Sequence, residues 1–223
     1  LPSLAADIPY TDSGNNHLWS NPGNWQGSTI PGDNSTGAAN WNEGTQLEIP
    51  LGTNAICNGF MLGMYGSSNS AVVAGGTLAC NWLDIGRSNQ NGGNGTLTIS
   101  SGSATVSGTL SIPNQFSSNT DQANIGQGQL YLTGGSISAN SIQIGNGQSG
   151  ADGGIGSISI TGGSLIVNGD ARDQLQNYID AGYISTAAGQ SFELDYDINN
   201  SGKTTLKSTG VFNGLTSSPY PAD

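Results

Sequence analysis

Basic residues are nearly missing from this chain: its 223 residues include four Lys and Arg against 15 Asp and Glu, a formal charge of −11. A field of that sign repels phosphate backbones and anionic lipid headgroups, and no Lys/Arg cluster reverses it locally. Nucleic acid and membrane surfaces are therefore not expected partners. Charge of either sign is scarce, at 9% of residues, unlike an ordinary cytosolic enzyme. Long apolar runs are also absent; none approaches the ~20 residues needed to span a bilayer. The start, LPSLAAD, has neither a basic n-region nor an apolar h-region, so the chain reads as mature and soluble with a signal peptide already removed. Only His17 and two cysteines are present. Two thiols with no nearby His cannot complete a tetrahedral metal set, and His17 has no Ser or Cys partner at a spacing that suggests a triad. No resident cofactor is expected, with calcium as the one alternative.

What the chain has in abundance is glycine, 36 residues, together with Asn, Ser and Thr. That balance, with few Lys and Glu, suggests a secreted, extracellular bacterial protein. Self-similarity is visible on inspection: AVVAGGTLACNWLDIG from residue 71, GTLTISSGSATVSGTLSIP from 95, GQLYLTGGSISANSIQIG from 128 and GSISITGGSLIVNGD from 156. Within a unit the apolar residues alternate, as in Leu97 and Ile99, Leu110 and Ile112, or Leu130 and Leu132, and a period of two means strand. Three short runs, tight turns and one variable polar loop per unit wind most readily as a parallel β-helix, each strand pairing with its equivalent one coil along, ~4.8 Å away. The expected fold is all-β: a single-stranded, right-handed parallel β-helix of about five coils, the handedness following the preference for parallel crossovers. An up-and-down or jelly-roll sandwich is the alternative.

In that register the string CNGFMLG, residues 57–63, lies directly below CNWLDIG, residues 80–86. Cys57 then stacks on Cys80 at a Cα separation inside the disulfide window, and a disulfide is expected. The other reading is two reduced cysteines serving as small core residues, in one column with Ala139 and Val167. The next column, Asn58, Asn81, Ser107, Asn140 and Asn168, is expected to hydrogen-bond along the axis through its side chains, as architecture and not as a site.

One domain, 1–223, is expected to contain an N-terminal cap (1–46), the coils (47–169) and a C-terminal cap (170–223). A solenoid needs its open ends covered. Trp19, Trp25 and Trp41 form the expected plug at one end. At the other, DARDQLQNYIDAG reads as a helix with Asp170 as N-cap, Leu175, Tyr178 and Ile179 on one face and Gly182 as its stop. SFELDYDINNSGKTTLKS follows as a hairpin. Asp195, Asp197 and Asn199 in that turn resemble the start of a calcium loop but lack its glycine and closing glutamate, so a plain hairpin is expected.

The start LWSNPGNWQGSTIPGDN, the GTLTISSGSATVSGTLSI-type coils and the close LQNYIDAGYISTAAGQSFELDYDINNSGKTTL together resemble a β-helical module that recurs in large secreted bacterial proteins. Such modules often sit beside polysaccharide-degrading domains or before a surface-sorting tail. The resemblance spans nearly the whole chain and implies fold and compartment more than function.

Catalysis has little material. A β-helical polysaccharide lyase needs a Lys or Arg base, and only Arg87, Arg172, Lys203 and Lys207 exist. A glycosidase needs two carboxylates roughly 5 to 10 Å apart, whereas residues 71 to 170 offer only Asp84, Asp121, Asp152 and Asp170, three of them in loops or at the cap. Binding is the better reading: a non-catalytic carbohydrate-binding module of a secreted multimodular protein, monomeric as an isolated module and tethered to other domains. Trp82, in the turn where other coils have small residues, is the leading candidate for stacking on a sugar ring. Tyr65, Asp84, Arg87, Gln90, Asn91, Asn119 and Gln143, near the same edge, complete the candidate set. Asp84 takes the outward parity opposite Leu83 and Ile85, in a column with Met61, Ser111 and Gln143. The negative charge favours a neutral or weakly charged polysaccharide. The rival readings are a structural spacer or surface-adhesion repeat, and a lyase or glycoside hydrolase of the β-helix type.

Overall fold

The computed structural model describes residues 7–32, 38–40, 44–64, 66–86, 93–113, 126–145 and 154–210. It is a β-solenoid of about four turns with one helix. The strands in chain order are β1 (Ile8–Pro9), β2 (Ala38–Asn40), β3 (Gln46–Pro50), β4 (Asn54–Leu62), β5 (Ser68–Ile85), β6 (Asn94–Ile112), β7 (Gln127–Leu132), β8 (Ser136–Ile144), β9 (Ile155–Ile160) and β10 (Ser164–Asn168). Helix α1 (Arg172–Asp180) and strands β11 (Ile184–Ser185), β12 (Ser191–Tyr196) and β13 (Lys203–Thr209) complete the described chain.

Long strands such as β5 and β6 bend at small-residue corners and contribute to three walls in turn. The first wall stacks β3, the start of β5, the start of β6, β7, β9 and β11, all parallel. The second stacks the start of β4, the middles of β5 and β6, the start of β8, and β10. The third runs from β1 and β2 through the ends of β4, β5, β6 and β8. Inward residues of all three walls fill one core in which Leu47, Ile49, Leu97, Ile99, Leu110, Leu130 and Ile158 are fully buried. Because the side-chain period on a strand is two, each leucine or isoleucine of the alternating runs meets its equivalent one coil away.

In the unit beginning at β9 the chain passes from β10 into α1 in place of a third-wall strand. After Asn168 the alternation stops and the helical segment takes over. α1 covers the open end of the third wall: Gln174 Nε2 donates to the Ile142 carbonyl at 3.0 Å, and the Tyr178 hydroxyl accepts from the Ile144 N–H at 3.3 Å. Leu175 is buried, with Tyr178 and Ile179 packed against the core. Asp170 is not the N-cap. Ala171 holds that position with no side-chain cap bond, and the Asp170 carboxylate is taken by the Arg172 guanidinium at 2.7 and 2.8 Å. Gly182 closes the helix as expected, at φ +79°, its N–H bonded to Ile179 O and that of Tyr183 to Tyr178 O. The terminal hairpin then pairs β13 antiparallel to β10, ending the parallel stack of the second wall.

At the other end Trp19 and Trp25 are both 2% exposed and meet edge to face at 4.8 Å, with Trp19 against Phe60 at 5.7 Å and Trp25 against Tyr10 at 5.3 Å. Burial, and then the Asp12 carboxylate that accepts its proton, pushes the Tyr10 phenol well above its ordinary range. Trp41 lies outside the described residues.

The expected Cys57 to Cys80 disulfide is not there. The residues are stacked in register as expected, both buried, and both thiols are free. Equivalent side chains on parallel strands leave the wall in the same direction, so their Cβ atoms stand about one strand spacing apart, ~4.8 Å, whereas a disulfide brings them to about 3.8 Å. The Cys57 thiol is pushed far up in pKa, first by its hydrogen bond with Cys80 and then by burial. The cysteines act as small core residues below Val106 and Ala139.

Candidate functional site

Beside the cysteines, the amide ladder forms. Asn81 Nδ2 donates to Asn58 Oδ1 at 2.9 Å, Ser107 Oγ to Asn81 Oδ1 at 2.8 Å, and Asn168 Nδ2 to Asn140 Oδ1 at 3.2 Å. These bonds run along the solenoid axis and tie coil to coil. Next to them a cleft of about 240 Å³ is lined by Ser107, Ser138, Asn140, Asn168 and Lys203, among others.

Among the described residues, three charged pairs lie in the N-terminal segment and the C-terminal elements. His17 Nδ1 contacts Asp12 Oδ2 at 2.7 Å in the N-terminal segment; Arg172 pairs with Asp170, and Lys207 with Glu193 at 2.9 Å, in the C-terminal elements. Arg172 also lies 5.6 Å from the Tyr196 ring centroid. In the hairpin turn the Asp195 carboxylate accepts from the Asn199 N–H and amide, and the Asp197 carboxylate from the Gly202 N–H at 2.6 Å. Among the described residues no three His, Cys, Asp or Glu side chains come together as a metal site, and no helix is long and apolar enough to cross a membrane.

The Asn199 amide, ahead of the backbone bonds, holds the Asp195 carboxyl below its ordinary range. A carboxyl lowered in the folded state contributes stability above its unfolded pKa, about 3.9, and loses that contribution as pH falls through the folded value. Acid titration of thermal stability is therefore expected to show wild type and Asp195→Asn differing by a constant amount above pH 5 and converging below pH 4. Parallel curves down to the lowest pH would mean that the bond between Asp195 and Asn199 contributes nothing.

Of the sequence candidates, Trp82, Asp84 and Gln143 fall on described residues. Tyr65, Arg87, Gln90, Asn91 and Asn119 lie outside them, as do Asp121 and Asp152. The column Met61, Asp84, Ser111 and Gln143 is in register on the third wall. It faces away from the core, yet Met61 is 0%, Asp84 2% and Ser111 3% exposed. Outward parity does not make Asp84 a surface residue. Trp82 is partly buried. Its indole lies across Gly59 of the coil below, where a Cβ would stand 2.0 Å from Trp82 Cε2, and it packs with Met61 and Met64. The glycine makes room for the ring, which lies along the wall.

The first wall presents a different surface. Its outward positions on β6, β7 and β9 stand in register: Thr96, Gln129 and Ser157 in one row, Thr98, Tyr131 and Ser159 in the next. Every outward residue of these three strands is uncharged. Tyr131 is 37% exposed and Ile155, on the same wall, 51%; they are two of only four exposed large hydrophobic residues among those described. Sequence reasoning passed over Tyr131, although the signal was present: it sits between Leu130 and Leu132, so a period of two turns its ring outward.

Comparisons of the chain with protein-family models, with curated proteins and with solved structures give no match. Function is read from the geometry of these walls.

Proposed function

We propose that the protein is a non-catalytic carbohydrate-binding module, secreted as part of a multimodular bacterial protein, that takes a neutral or weakly charged polysaccharide on an outer wall of a right-handed solenoid. In this reading the Trp-bearing N-terminal segment and the helix with its hairpin cap the two ends. The observation that carries the proposal is the uncharged, in-register array of Thr, Ser and Gln side chains on the first wall of a chain whose net charge is −11. Hydroxyl and amide groups held at fixed spacing by a hydrogen-bonded wall offer donors and acceptors to sugar hydroxyls without ordering flexible loops first, which lowers the entropic cost of binding. On β6, β7 and β9 these positions carry no Lys or Glu, which would favour ions over neutral polymers; Glu48 of β3 stands in the same row two coils below Thr98 and bounds the array.

Affinity electrophoresis in gels containing a soluble β-glucan, a soluble galactan or a polyuronate tests it. Retardation by at least one neutral polymer, with no new reducing ends or unsaturated uronates released, is the expected result. Mobility unchanged in every gel would overturn the proposal and favour a structural spacer. Released product would point to a lyase or hydrolase.

A further inference from the structure

Resting on the glycan-binding reading, we infer that the stacking platform is Tyr131, in the middle of the first wall, and that the ligand is an extended neutral glycan with one pyranose ring lying on the tyrosine. The Tyr131 hydroxyl donates to Gln129 Oε1 at 3.1 Å, two residues back on the same strand and the same face. The hydrogen bond ties the phenol back along β7, and at 37% exposure part of the ring is open to solvent. A sugar ring has an apolar face of C–H bonds that suits such a surface, and Tyr is rigid enough to provide it at low entropic cost.

The surroundings fit the same ligand. Thr98 and Ser159 flank Tyr131 on the coils below and above, and Thr96, Gln129 and Ser157 form the parallel row two residues away. A ring on Tyr131 would have hydroxyl and amide groups on either side, and the coil spacing of about 4.8 Å is close to the length of a pyranose ring. A flat, extended chain can therefore cross successive coils and meet an equivalent polar pair at each. A tightly coiled glycan would touch the wall at isolated points. The exposed Ile155 extends the apolar surface at the edge of the same wall. With no charged group among these outward positions, neither a uronate carboxylate nor a sulfate finds a partner there.

Trp82 offers less: its ring is partly buried against Gly59, Met61 and Met64 on a different wall. The two aromatics thus give a direct contrast. In affinity gels of the full chain, with the soluble β-glucan, galactan and polyuronate as probes, Tyr131→Ala is expected to weaken retention by the neutral polymer about tenfold. Tyr131→Phe, which keeps the ring, should stay within about threefold of wild type, and Trp82→Ala should bind as wild type. Circular dichroism and melting temperature should be unchanged in Tyr131→Ala, since the side chain is exposed. If a neutral polymer retards wild type and Tyr131→Ala equally, the platform assignment fails while glycan binding stands. If the polyuronate alone retards wild type, the ligand class is wrong. If no polymer retards it, this inference falls together with the reading beneath it.

Discussion

Replacing Gly86 with alanine is expected to cost about 3 kcal/mol of folding stability, more than a typical surface substitution by several fold. Two separate costs combine there. Gly86 has φ +80°, in the left-handed region, where an L side chain adds about 1–2 kcal/mol. Its new Cβ would also stand 2.1 Å from the Gln127 carbonyl oxygen, a backbone atom fixed in the next coil. The contact is mutual, since a Cβ on Gly128 would stand 2.2 Å from the Ile85 oxygen. At this corner successive coils touch main chain to main chain, while the Gly86 N–H bonds back to Leu62 O at 2.8 Å. Gly52→Ala is the matched control: φ is +83°, but nothing lies within 4 Å of the added carbon, so only the conformational cost of about 1 kcal/mol applies. Urea denaturation of both variants separates the terms. Equal losses would show that the corner relaxes and that the close approach is not a constraint.

Trp25→Ala is expected to lose about 3–5 kcal/mol, the range for deleting a large buried aromatic. The indole is packed edge to face against both Tyr10 and Trp19, and its Nε1 donates to the Trp19 carbonyl at 2.8 Å in a buried setting. Trp25→Phe keeps part of the packing and loses the donor, so it should fall between, at about 1–3 kcal/mol. The location of the loss is as informative as its size. In a solenoid each coil contacts only its neighbours, so damage at one end spreads by steps. Hydrogen exchange in Trp25→Ala should show protection lost first in β3 and β4, with β8 and β10 retaining theirs. Uniform loss along the stack would instead mark the whole rod as one cooperative unit.

The wall register was legible in the sequence because a parallel solenoid places equivalent residues of successive repeats on top of one another. A local string and its copy therefore specify a long-range contact. Cys57 over Cys80, the axial bonds from Asn58 to Ser107 and from Asn140 to Asn168, and the row of Met61, Asp84, Ser111 and Gln143 all follow from alternation and repeat length alone. The helix stop at Gly182 and the hairpin after it were equally local, each set by a turn residue whose backbone preference does not depend on its neighbours in space.

What alternation cannot supply is the accessibility of the outer side. Parity tells which way a side chain leaves the strand, and the same parity sends Asp84 and Tyr131 away from the core, yet one is 2% and the other 37% exposed. On the third wall Met64 and the Trp82 indole pack with Met61 beside Asp84, whereas Tyr131 has the short Thr98 and Ser159 on either side. Trp82 lies flat because the coil beneath it happens to offer a glycine, and the two thiols stay unjoined because parallel side chains keep their spacing. Sequence by itself determined which residues share a column. Only the tertiary structure decided which columns meet solvent, since burial is a sum over contacts that no short-range pattern records.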